Sequence, residues 1–167
     1  SSSNTYYLFI GKATAYTSST TGGSDSAPPS PADAVGETEF YPWDSMLAAK
    51  KIPSTDITKA LPRRDWSNST VFDMYRHDIS ASNTTTSGAS NIYDSTFYFK
   101  TSDNRVYKVL DNNGGTAYSG AEPTSESTSP FALGGYILKY MYSISASRSA
   151  KFLTTDFMPV SDDSTVS

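Results

Sequence analysis

The chain has 167 residues (18.0 kDa), a net charge of −4 and a pI of about 4.8, with 37% hydrophobic and 13% aromatic residues. Its 13 Lys and Arg stand in no run longer than two, so the basic footprint that a nucleic-acid partner needs is missing. Zero cysteines exclude disulfides, Cys-type zinc sites and thiol nucleophiles. The longest apolar run, YYLFI at 6–10, falls far short of the roughly twenty residues of a membrane-spanning helix, so no membrane partner is expected.

This length predicts a single domain over 1–167 with long excursions. YYLFI ends at Gly11 and reads as a buried strand, by its length and aromatic content. Residues 17–39 lose all periodicity and consist largely of Ser, Thr, Gly and Pro. They predict a long surface loop or arm, since such composition buries too little apolar surface to fold alone. Pro42 then stands at a helix start, Trp43, Met46 and Leu47 share a helical face, and Pro53 stops the run. A short helix over 43–52 is therefore predicted.

DITKAL (56–61) is a short strand candidate, PRRDW follows at 62–66, and VFDMYRHDI (71–79) reads as an irregular strand. STFYFKT (95–101) and RVYKVL (105–110), joined by Ser102-Asp103-Asn104, predict a β-hairpin. Residues 111–134 predict a second long loop or arm, of a length usually reserved for function. GYILKYMYSIS (135–145) is the longest strand, with Tyr136, Leu138, Tyr140, Tyr142 and Ile144 on one face. KFLTTDFMPV (151–160) offers apolar anchors before a polar tail at 161–167. The expected fold is mainly β, a β-rich α+β: a small antiparallel sheet or sandwich with one short helix and long polar loops.

Chemistry-bearing patterns are sparse. His77 is the one histidine, serines are too common to single out a nucleophile, and no G-x-S-x-G elbow occurs. Asp73, Asp78, Asp94 and Asp103 are scattered carboxylates, and DNNGG (111–115) and SDD (161–163) lack calcium-loop spacing. Gly22-Gly23, Gly114-Gly115 and Gly134-Gly135 read as turn glycines, not phosphate loops. No catalytic residue, metal ligand or cofactor-binding residue is assigned. The most charged constellation is Arg63-Arg64-Asp65-Trp66. It is either a salt-bridged corner or a partner-interface anchor, because Arg and Trp dominate interface hot spots.

An ordered set of motifs resembles the gene-product-eight family of baseplate wedge subunits from contractile-tailed phages, both T-even and marine or cyanobacterial. The set is YYLFIGK (6–12), WDSMLAAKKI (43–52), LPRRDW (61–66), FYFKTSDNRVYKVLDNNGG (97–115), EPT (122–124) and GGYILKYMYSISASRSAKFLTTDFMPV (134–160). The resemblance implies a non-enzymatic, β-built virion protein without cofactors, located in the tail baseplate and assembled in the host cytoplasm. It implies contacts with other wedge proteins, possible homodimers, and rearrangement on tail contraction. The T-even member is considerably longer than this chain. Two other classes stay open: a carbohydrate-binding or adhesin β-domain using Trp43 and Trp66, and a hydrolase using Asp73, His77 or Asp78. Another virion position, in a fibre attachment or collar, is a variant of the first reading.

Overall fold

The structure is a computed structural model and describes residues 5–11, 15–16, 23–28, 30 and 46–161. Trp43, most of loop 17–39 and the tail beyond residue 161 lie outside the described residues. Its contacts fall into two compact units, Ser1–Ile57 and Thr58–Ser167.

In the first unit, β1 (Tyr6–Gly11) pairs antiparallel with β2 (Met46–Ile52), Leu8 facing Lys50 and Phe9 facing Ala49. The helix expected over 43–52 is therefore a strand wherever its residues are described. The preference of Ala, Leu and Lys for helix amounts to a few tenths of a kcal/mol per residue. A full antiparallel ladder with an aromatic strand outweighs it. The apolar spacing that suggested a helix spanned barely one turn. A 3-10 turn at Ser54–Asp56 follows, and Lys50 Nζ lies 3.0 Å from Asp56. β1 is not buried as its composition suggested, since every one of its residues is exposed.

The second unit is built on a four-stranded antiparallel sheet. Its strands are β4 (Tyr98–Lys100), β5 (Arg105–Asp111), β6 (Phe131–Leu133) and β7 (Tyr136–Ser143), in the order β4-β5-β7-β6. The expected hairpin forms, with Asn104 at φ 62° in its turn. Gly134 and Gly135, both at positive φ, join β6 to β7 in a two-residue turn of the type that matches strand twist. A separate ladder pairs β3 (Ala60–Pro62) with β8 (Phe157–Pro159). Residues 71–79 form no strand, and the DITKAL strand is displaced to Ala60–Pro62.

Two aromatic-rich clusters pack on the sheet. One holds Phe72, Phe99, Tyr107, Val109, Tyr118, Tyr136 and Leu138; the other holds Tyr98, Val106, Ile144 and Met158. In β7 the buried set alternates as the sequence predicts, but it serves both clusters. Tyr107 faces Tyr140 while Val106 faces Tyr142, so Met141 is an extra, bulged residue. One inserted residue flips the side-chain phase, which sends Tyr136 and Leu138 to the first cluster and Ile144 to the second.

Two local features differ from expectation. The one α-helix among the described residues is α1 (Ala146–Phe152), capped by Ser145, whose Oγ accepts from the Arg148 amide at 3.4 Å. Its sequence, ASRSAKF, has too little apolar periodicity to announce a helix. Loop 111–134 is not a free arm. Tyr118 and Pro123 are fully buried, the Tyr118 backbone bonds to Ser69 and Thr70, and β6 forms from its last residues.

Candidate functional site

Residues 60–66 take part in two ladders. After β3 leaves β8, Arg64 O accepts from Lys100 N at 2.7 Å and Trp66 N donates to Lys100 O at 2.8 Å. Asp65 thus forms a parallel bridge to Lys100 along the outer edge of β4. This places the whole Arg63–Trp66 corner beside the sheet.

Strand alternation sets Arg63 and Asp65 on the same side, and they pair. Arg63 Nε lies 3.0 and 2.9 Å from the two Asp65 oxygens, and Nη2 lies 2.8 Å from Oδ2. Arg63 Nη1 also donates to the Thr154 carbonyl at 2.9 Å. Lys100, only 5% exposed, brings Nζ to 3.4 Å from Asp65 and donates to the Thr101 carbonyl at 3.0 Å. Burial pushes the Asp65 carboxyl up, but the bonds and charges of Arg63 and Lys100 outweigh it and hold the group below its usual range.

Arg64 turns its Nη2 to the carbonyls of Tyr93 and Asp94 at 3.0 and 2.9 Å, and its guanidinium lies 5.7 Å from the Tyr98 ring. Trp66 packs edge-on against Tyr118, ring centroids 5.9 Å apart. Arg64 Nε and Trp66 Nε1 are buried without a hydrogen-bond partner among the described residues.

A cleft of about 320 Å³ opens at this corner, lined by Arg63, Asp65, Trp66, Lys100, Thr101, Ser102 and Glu122. Glu122 accepts from Ser102 N at 2.6 Å and from Ser102 Oγ at 2.5 Å. The sequence singled out three of these residues. Lys100 and Glu122 were not singled out, because a strand lysine and a loop glutamate carry no spacing signal of their own. The cleft offers fixed charges of both signs beside an aromatic wall, and Asp65 stays ionised at neutral pH. It is suited to gripping a polar or charged side chain.

The residues of the hydrolase reading are dispersed in role. Asp73 is fully buried and accepts from Ser87 N (2.8 Å), Ser87 Oγ (2.6 Å), Ser95 Oγ (3.0 Å) and Thr96 N (2.9 Å). Burial raises its pKa, the hydrogen bonds lower it, and the net direction is down. His77 is exposed, and Asp78 pairs with Arg76 and Asn83. Among the described residues, no group of three His, Asp or Glu side chains is arranged to hold a metal ion.

A mainly β body, with one short α-helix among the described residues and a charge-paired cleft, defines a β-rich module. Residues 1–121 match the family described as Bacteriophage T4, Gp8. The match spans 121 of the 167 residues, and the chain belongs to this family of baseplate wedge proteins. It is a structural protein of the phage baseplate. No curated protein and no solved structure matches it. The motifs at 122–124 and 134–160 lie beyond the matched stretch.

Proposed function

We propose that the chain is a wedge subunit acting only through protein–protein contacts, first in baseplate assembly and then as the wedge rearranges on tail contraction. The family match carries this reading, and the β1–β2 ribbon inside the matched stretch supports it. Tyr6, Tyr7, Leu8, Phe9 and Ile10 are 43–60% exposed, and Leu47 is 64% exposed. A two-stranded ribbon is marginal by itself, and large exposed apolar side chains on both its faces favour a contact site there. Its occupant in this reading is another wedge protein.

The Arg63–Trp66 corner is a second contact. Its two guanidiniums are engaged internally, so the parts it offers a partner are the half-exposed Asp65 carboxylate and the cleft beside it. The reading includes no catalysis: Asp65 and Asp73 are held as carboxylates, and neither is poised as an acid near neutral pH. Homodimer formation and assembly in the host cytoplasm belong to the same reading and rest on the family alone.

Gold-labelled antibody against the chain, applied to purified phage particles and viewed by electron microscopy, tests the position. Label at the end plate of the tail is expected. Label on fibres or neck moves the protein to another virion part. No label on particles, with the epitope accessible, overturns the reading and makes a glycan-binding screen the next step.

A further inference from the structure

One face of the four-stranded sheet is only partly covered. Around Tyr98, Val106 and Ile144 it is packed by Leu61, Leu153 and Met158. Farther along the same face, β5 and β7 set Lys108 directly opposite Lys139. Like charges directly across a ladder are destabilising. No carboxylate lies within ion-pair distance of either amine among the described residues. Lys108 rests its Nζ 3.2 Å from the centroid of the Tyr75 ring, and both burial and Lys139 push its pKa down. Ile137, on the same strand face as Lys139, is 43% exposed, and Tyr75 is 37% exposed.

Apolar side chains around two opposed ammonium groups ask for one kind of cover. A carboxylate between the amines would offset their repulsion, and apolar neighbours would close over Ile137 and Tyr75. A two-fold contact of this face with a second copy would instead bring four lysines together, since such contacts are self-complementary.

We propose that this face of β5 and β7 docks an acidic and apolar segment of a different baseplate protein, with one carboxylate seated between Lys108 and Lys139. The proposal rests on the wedge reading above. Charge complementarity at such a contact governs partner choice more than affinity.

Lysine acetylation with N-hydroxysuccinimide acetate, quantified by mass spectrometry on free protein and on purified particles, reads the cover directly. Lys139 should be acetylated about tenfold less in the particle, which corresponds to a closed state favoured by about 1.4 kcal/mol. Zero-length carbodiimide coupling of the same particles should join Lys108 or Lys139 to an Asp or Glu of another protein. Lys139→Glu should fold with undiminished thermal stability, because it removes the repulsion, and yet enter particles at least about tenfold less well, because it sets two carboxylates against each other at the contact. Equal acetylation in the two states, or coupling only to a second copy, overturns this inference and leaves the wedge reading intact. Absence of the chain from purified particles overturns both.

Discussion

Asp73 should be the most sensitive single carboxylate in the second unit. Its two oxygens accept four hydrogen bonds at 2.6–3.0 Å, and its side chain is sealed from water. Asp73→Ala leaves four donors without their acceptor. The hydroxyls of Ser87 and Ser95 can rotate away and the amide of exposed Ser87 can turn to water, so the cost falls mainly on the amide of Thr96. At about 1–3 kcal/mol for an unsatisfied buried donor, the loss is about 1–3 kcal/mol. Taking about 2 kcal/mol as the centre, Tm should fall by about 4–8 °C for a chain of this size. Asp73→Asn keeps the shape and one acceptor and should lose about 1 kcal/mol. The two variants also separate in pH. The folded pKa of Asp73 lies below the unfolded value of about 3.9, so its contribution is present above that value and is lost as pH falls through the folded pKa. Wild type should therefore lose more stability than Asp73→Asn on acidification below about pH 4. Urea unfolding between pH 3 and 7, followed by near-ultraviolet circular dichroism, measures both effects. An alanine variant that loses under about 1 kcal/mol, or identical acid limbs for wild type and Asn, would refute the argument.

Gly134→Ala should be severely destabilising, by about 3 kcal/mol or more: φ is +62°, and a new Cβ would stand 2.6 Å from Tyr118 Cζ and 2.7 Å from the Ser119 carbonyl oxygen. Thermal unfolding checks this, and a variant of normal Tm contradicts it. Tyr118 and Tyr142 have phenol pKa values pushed up to about 12 by burial. Their contribution is complete below the unfolded value of about 10 and is lost as pH rises through about 12, so alkaline unfolding should set in across that interval. Ultraviolet phenolate titration should show at least two late-titrating tyrosines. Glu122→Gln weakens a charge-assisted cap on Ser102 and should lose about 1 kcal/mol, with faster amide exchange at Ser102. Unchanged exchange there would argue that the cap is idle.

Legibility in the sequence followed the range over which the determining contacts act. The β4–β5 hairpin and the β6–β7 turn were readable, because strand alternation and turn chemistry at Ser102–Asn104 and Gly134-Gly135 are local. The buried series in β7 was readable as a pattern but not as a destination, because the bulge at Met141 depends on its register with β5. β2 was misread as a helix because its strand partner lies some forty residues earlier in the chain. Helix α1 was missed because its stability comes from the Ser145 cap and from Arg148, whose Nη2 reaches Thr58 and the Val160 carbonyl at 2.7 and 2.6 Å. The Arg63–Trp66 corner was legible as a charge cluster. That Lys100 and Glu122 would join it was not, since only folding brings residues 100 and 122 to it.

The parallel bridge from Asp65 to Lys100 also determines what the sheet can recruit. It occupies the outer edge of β4, and the opposite edge, β6, is only three residues long. Open edges are where β-proteins polymerise with their own kind, and short or occupied edges suppress that route. The four-stranded sheet therefore offers little purchase for runaway strand addition, however many copies accumulate before they are built in. What this sheet presents to a neighbour is therefore mainly the side chains of its faces, not an open backbone edge.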